Sequence, residues 1–131
     1  MDKRKNINPG VRAACLNCID GRVQLPVLNW IRKQYNIDFV DVVTSAGIDR
    51  LLASQDNIDG ILQSVNISLN TNKSTRIFIV AHHDCRGNPV DEKTHHRDVA
   101  KSIKRLRLHW PKLEIVGLWV NRRWQIEVLQ K

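Results

Sequence analysis

Cysteine is scarce in this sequence, three residues in 131. An odd count in a chain long enough to build its own core argues against a disulfide framework and leaves the thiols as metal ligands or nucleophiles in a reducing compartment. Long apolar runs are also missing: with 26% charged residues, nothing approaches the ~20 consecutive apolar positions of a membrane-spanning helix. The opening residues, Met1-Asp2-Lys3-Arg4-Lys5-Asn6, carry charge with no apolar stretch behind them, which argues against a secretory signal and makes the cytoplasm the expected location. The six glycines and four prolines are scattered singly, with no repeat or low-complexity segment. No linker is expected, and residues 1–131 read as one domain with residues 1–10 as an N-terminal arm. Acidic residues are the rarer charge, 13 against 21 Lys and Arg for a net +8. That balance raises nucleic acid as a partner, although no recognition motif accompanies it.

What is present is an alternation of short apolar runs with amphipathic segments. Val11-Arg12-Ala13-Ala14-Cys15-Leu16-Asn17 reads as a buried strand. Over residues 23–35, Val23, Val27, Trp30 and Ile31 recur at helical spacing, and Pro26 is tolerated in a first turn. Residues 37–43 are rich in β-branched and aromatic side chains and read as a second strand, closed by the turn-like Thr44-Ser45-Ala46-Gly47. A second helix is expected over residues 57–69, with Ile58, Ile61, Leu62, Val65 and Leu69 on one side. Ile77-Phe78-Ile79-Val80 is continuously apolar, as in a central strand covered on both faces. A third helix over residues 91–109 turns Val99, Ile103 and Leu106 inward and ends before Pro111. Residues 113–120 and 124–129 read as two last strands, their short Asn121-Arg122-Arg123 connection suggesting an antiparallel hairpin. The order predicts a single-domain α/β fold: a mostly parallel central sheet flanked by helices, with an antiparallel C-terminal edge strand.

Ligands of such sheets sit beyond the carboxyl ends of the strands. Two polar clusters fall there, Asn17 to Arg22 and His82 to Asn88. They supply Cys18, Asp20 and Arg22 on one side and His82, His83, Asp84 and Cys85 on the other. Two thiolates and an imidazole are a three-ligand set suited to Zn²⁺, with a fourth position left for water that the metal would activate as a nucleophile. Cys15 and Cys18 also form a Cys-x-x-Cys. Cys15 reads as a small buried strand thiol, and a closed four-ligand structural zinc site that includes it is the competing reading.

These clusters resemble the β-class carbonic anhydrases, whose zinc motif has the form Cys-x-Asp-x-Arg followed, after an apolar strand, by His-x-x-Cys. Here the halves read Cys18-Ile-Asp20-Gly-Arg22 and His82-His-Asp-Cys85, with Ala46-Gly47 resembling the family's Ala-Gly loop and Val116-Gly117-Leu118 its penultimate strand. The resemblance favours His82 over His83 as ligand and extends from about Val11 to Leu129. It implies Zn²⁺ held by Cys18, His82 and Cys85, and reversible hydration of CO₂ to bicarbonate by a zinc-bound hydroxide, rising toward alkaline pH. It further implies that Asp20 orients that hydroxide or closes onto zinc, and that Arg22 holds Asp20 off the metal. Two stretches depart from the family pattern: Arg86 stands where Gly is usual, placing a cation that could bind bicarbonate or obstruct the site, and Thr44-Ser45 replaces the common Arg-Asn. The resemblance also implies a homodimer or larger homo-oligomer, for which the C-terminal edge strand offers a surface.

Two other readings stand beside this one. The same site could hydrolyse a CO₂ analogue such as carbon disulfide or carbonyl sulfide, or the protein could be a non-catalytic zinc-binding protein. The helix carrying Lys93, Arg97, Lys101, Lys104, Arg105 and Arg107 is the best case for a nucleic-acid face, and a solvated surface is its plainer reading. Trp30 and Trp119 are expected in the core and Trp110 and Trp124 at an exposed or interface position. His95, His96 and His109 are expected to be solvated helix residues, with a proton-shuttle role open to one of them. Asp84 is expected to cap its own loop.

Overall fold

The computed structural model describes residues 10–131, so the expected N-terminal arm lies, apart from Gly10, outside the described residues. The chain runs β1 (Arg12–Cys18), a 3₁₀ turn (Gly21–Val23), α1 (Gln24–Gln34), β2 (Phe39–Ser45), α2 (Ile48–Ser54) and α3 (Asp59–Asn66). A π turn (Ile67–Thr71) follows, then β3 (Arg76–His82), α4 (Glu92–His109), β4 (Glu114–Val120) and β5 (Ile126–Gln130). The five strands lie in the order β2-β1-β3-β4-β5. All pairings are parallel except β4 with β5, which is the expected mixed sheet.

Side chains alternate between the two faces of each strand, and this alternation builds two cores. Ala14, Leu16, Ile77, Ile79, Ile115 and Trp119 pack beneath α2, α3 and α4 with Ile48, Leu52, Val65, Val99, Ile103 and Leu106. Ala13, Cys15, Phe78, Val80, Val116 and Leu118 face α1 through Val27 and Ile31. Central β1 and β3 are buried along nearly their whole length, whereas edge strand β2 is only partly covered. No helix is long and apolar enough to cross a membrane among the described residues.

The differences from expectation have local causes. Helix α2 follows directly on Gly47, whose left-handed φ of 59° turns the chain out of β2; a seven-residue helix with three buried side chains is too short to show a period. The strand before it runs two residues further than the β-branched run, because Asn17 and Cys18 of β1 continue the ladder opposite Thr44 and Ser45. His95 is not solvated but 1% exposed: it sits on the same side of α4 as Val99, Ser102 and Leu106, and its Nδ1 lies 2.6 Å from Asp49 Oδ2. Asp91 accepts from the Thr94 amide as the N-cap of α4. The basic face of α4 is smaller than its sequence: Arg105 donates to the carbonyls of Leu52, Gln55 and Asp56, and Arg107 to that of Lys131. Trp119 is buried as expected, while Trp30 is only partly so, packed with Tyr35 at a centroid distance of 5.8 Å.

Two loops at the carboxyl edge touch backbone to backbone. A Cβ on Gly87 would lie 2.5 Å from the Ala46 carbonyl carbon and from the Gly47 nitrogen, and a Cβ on Gly47 would lie 2.5 Å from the Gly87 carbonyl carbon. Gly87→Ala must force these loops apart and is expected to cost about 1–3 kcal/mol in urea unfolding. Gly21→Ala, where a Cβ would meet nothing within 4 Å, serves as the control at about 0.5 kcal/mol or less; equal effects would contradict the packing.

Candidate metal centre

The sheet grows from β1 toward β2 on one side and toward β3 on the other, so the carboxyl ends of β1 and β3 flank a topological switch point, the usual crevice for a ligand. Cys18 ends β1 and His82 ends β3, while Cys85 stands in the loop that follows. This brings together Cys18 and Cys85, 67 positions apart in sequence, with their Sγ atoms 4.0 Å from each other. The ligand atoms of Cys18, His82 and Cys85 all lie within 4.8 Å of one another, and all three residues are buried.

The imidazole is oriented for ligation. His82 Nδ1 is 2.7 Å from the His83 carbonyl oxygen, to which it donates, so the lone pair resides on Nε2. That Nε2 is buried and has no hydrogen-bond partner. A buried acceptor left without a partner is costly, and beside two sulfurs a metal ion is what would satisfy it, with the His83 carbonyl holding the ring in place from behind. The donor set therefore fits a metal that accepts sulfur and imidazole nitrogen.

The two sulfurs divide one proton unequally. Hydrogen bonding from the Cys85 thiol, helped by the His82 ring and the Gly47 and Asp20 amides and opposed by burial, draws Cys18 down to about 3. The same bond, then burial, pushes Cys85 upward. Burial lowers His82, while the Cys18 sulfur on its Nε2 side and the His83 carbonyl at Nδ1 raise it, so a proton on Nε2 is favoured until a metal ion takes its place. Cys15 lies in the core beneath α1, where burial pushes its thiol up to about 12. It is not in the ligand group, so the closed four-ligand arrangement is not formed.

Asp20 and Arg22 form a tight pair at the crevice mouth. Arg22 Nε donates to both carboxylate oxygens at 3.1 Å and Nη2 to Oδ2 at 2.7 Å, while Oδ1 accepts from the Arg22 amide at 2.9 Å. These hydrogen bonds hold the Asp20 carboxyl at about 2. Arg22 also reaches Asp84, Nη1 to Oδ2 and Nη2 to the carbonyl, both at 3.2 Å, and its guanidinium lies 5.0 Å from the centre of the Trp124 ring. Asp84 thus pairs with Arg22 instead of capping its own loop, in a left-handed conformation at φ 53°. His83 packs against Trp124 with ring centroids 4.5 Å apart and planes tilted by 56°, and does not join the ligand group. A cleft of about 540 Å³ lined by Asp20, Gly21, Arg22 and Arg86 opens beside these loops.

Several supporting residues were not legible in the sequence. Asn17 accepts from the Cys18 amide at 2.9 Å and donates to the Val23 carbonyl at 3.2 Å, and Gln24 Nε2 donates to the carbonyls of Cys18 and Asp20 at 2.7 and 3.1 Å. Asn88 Nδ2 donates to Asp49 Oδ2 at 3.0 Å and Asp98 Oδ2 at 2.9 Å, and its amide donates to the Cys85 sulfur. The only sequence signal was that Asn17 and Asn88 bound the two polar clusters, Asn17 next to Cys18 and Asn88 three residues after Cys85.

In metal-free protein, absorbance near 240 nm is expected to show one thiolate already present at neutral pH, appearing between about pH 2 and 4 around the Cys18 value of about 3 and absent from Cys18→Ser; a first ionisation near ~8.5 would contradict the pairing. The Asp20 contribution to stability is present above ~4 and is lost as pH falls toward about 2. Asp20→Asn is therefore expected to remove that part of the acid limb in pH-dependent urea unfolding, and an unchanged limb would contradict the pairing.

Residues 9–130 match the family model described as "Putative carbonic anhydrase". No curated protein matches the sequence significantly. Among solved structures, a carbonic anhydrase from Glaciozyma antarctica superposes at TM-score 0.64 with 14% identity, over 94% of this chain and 84% of that one. One of two tetrameric β-carbonic anhydrases from Sordaria macrospora does so at 0.63 with 14% identity, over 97% and 85%. The apo form of a carbon disulfide hydrolase superposes at 0.60 with 15% identity, over 95% and 82%. At these identities the structures establish a shared fold, and the matched model, spanning nearly the whole sequence, establishes kinship: this chain belongs to the carbonic anhydrase family that the model describes.

Proposed function

We propose that the protein binds Zn²⁺ through Cys18, His82 and Cys85 and hydrates CO₂ reversibly to bicarbonate. The observation that carries this reading is the partnerless His82 Nε2 set between two sulfurs, with Asp20 held by Arg22 outside the ligand group. Bound there, Zn²⁺ would supply the Lewis acidity that makes water a nucleophile near neutral pH. Asp20 contributes an ionised carboxylate, which accepts a hydrogen bond from the attacking water and aims its lone pair at the CO₂ carbon. Arg22 acts through Asp20, keeping it ionised and turned toward the guanidinium fork, while Trp124 and Asp84 steady Arg22. Asn17 and Gln24 hold the Cys18-to-Asp20 segment, so the sulfur and the carboxylate keep a set spacing.

Hydrolysis of a CO₂ analogue such as carbon disulfide or carbonyl sulfide by the same residues is the second reading, supported by the likeness to a carbon disulfide hydrolase. A homo-oligomer is part of the proposal, supported by the tetrameric neighbours and by the two open sheet edges, β2 and β5. The cytoplasm is its proposed location.

Stopped-flow CO₂ hydration by zinc-replete protein is expected to exceed a Cys85→Ser blank and to climb from neutral to alkaline pH, because two thiolates leave the metal a weaker Lewis acid than imidazoles would. Asp20→Ala is expected to keep one zinc per chain yet lose about 10²-fold or more in turnover, whereas Cys18→Ser and Cys85→Ser lose the metal. A zinc-loaded protein with no excess rate would overturn CO₂ hydration and pass the question to carbon disulfide. Full turnover in Asp20→Ala would overturn the role given to Asp20.

A further inference from the structure

The cleft lined by Asp20, Gly21, Arg22 and Arg86 contains two guanidinium groups in different states. Every nitrogen of Arg22 is engaged: Nε and Nη2 with Asp20, Nη1 and Nη2 with Asp84. Arg86 is exposed and makes no ion pair and no side-chain hydrogen bond among the described residues. The charges follow from this. Arg22 is shared between two carboxylates, Asp20 and Asp84, and two thiolates would cancel the charge of a divalent metal, so neither offers an anion unspent positive charge. Arg86 leaves a whole guanidinium fork unspent.

The backbone at position 86 is held on both sides. Cys85 belongs to the ligand group, and Gly87 is wedged against the backbone of Ala46 and Gly47 while its carbonyl accepts from Arg50 Nε at 3.1 Å. The Arg86 side chain therefore springs from a fixed point beside the metal ligands, and only its own rotamers remain to be ordered on binding, which limits the entropic cost. Gly21 lines the same cleft, and a Cβ there would meet nothing within 4 Å, so the cleft is open at that wall.

We infer that Arg86 forms an anion subsite at the mouth of the metal cleft, taking a small planar oxyanion such as bicarbonate in a forked, charge-assisted contact. The inference rests on the three-ligand metal reading and goes beyond it: the neutral reactant gains nothing from the fork, and the anionic partner of the reaction is the one held. Arg86 is thus a determinant of product affinity and anion sensitivity, not an obstruction to the cleft.

The test is equilibrium binding of ¹³C-bicarbonate to Co²⁺-loaded protein, read from paramagnetic broadening of the ¹³C line, which needs no turnover. Wild type is expected to bind, Arg86→Gly on the order of tenfold more weakly, Arg86→Lys in between, and Arg86→Glu more weakly still, at equal metal content and unchanged Tm. In the hydration assay the bicarbonate product-inhibition constant should rise by the same factor. Absence of broadening in wild type, or equal or tighter binding by Arg86→Gly, overturns the inference. If bicarbonate binds in the expected order but CO₂ is not hydrated, the proposed reaction fails and the subsite stands.

Discussion

The parallel pairing of β1 with β3 is the contact on which the site depends. Ala14, Cys15 and Leu16 lie opposite Ile77, Phe78 and Ile79, and both strands are buried between helices on either face. Their ladder is therefore shielded from water and stiff. Because the chain leaves β1 toward β2 and returns on the other side as β3, the two carboxyl ends open in adjacent positions with no strand between them. Cys18 and His82 take their places from this crossover, and the distances at the ligand group inherit the rigidity of the sheet below.

Above the sheet, the loops have no ladder to hold them, and buried polar contacts take over. Asp49 from α2, Asn88 from the loop after β3, and His95 and Asp98 from α4 form a largely buried hydrogen-bonded cluster, with His95 Nε2 left without a partner. Ser102 is tied to the carbonyls of Asp49 and Asp98. Burying such groups is costly unless every one is paired. Here the amide of Asn88 serves two carboxylates at once, and its backbone reaches the Cys85 sulfur. The cluster therefore specifies where the second cysteine stands, and the glycine contact at Gly47 and Gly87 specifies how closely the two loops approach.

The electrostatics at the mouth follow from how the charges are spent. Arg22 is committed to Asp20 and Asp84 and lies over the Trp124 ring, which keeps Asp20 ionised and outside the ligand group. Among the described residues, Arg86 is the cleft-lining cation left without a partner. The larger cavity, about 590 Å³ between α1 and β2, is lined by Arg12, Leu25, Phe39 and Asp41 and holds none of the ligand residues; size alone would have pointed to the wrong part of the molecule.

Much of this was legible in the one-dimensional pattern. The unbroken run Ile77-Phe78-Ile79-Val80 fits a strand covered on both faces, as found, and the i, i+4, i+7 spacing of Val99, Ile103 and Leu106 marked the inner side of α4. Cys18, His82 and Cys85 stood out as scarce thiols and an imidazole at the ends of apolar runs, and the resemblance to the β-class motif singled out Asp20, Arg22 and the choice of His82 over His83. Hidden were the features whose meaning depends on a distant partner. His95 looks solvated until Asp49 arrives from another helix, Arg105 looks like a surface charge until it meets the carbonyls at the end of α2, and Asn17, Gln24 and Asn88 are ordinary polar residues until their backbone neighbours are known. Local periodicity and residue chemistry are properties of the chain and so determined the elements and the ligand types. Which sulfur gives up its proton, which imidazole nitrogen is left for the two sulfurs and which arginine stays free are set by burial and by hydrogen bonds that exist only once the chain has folded.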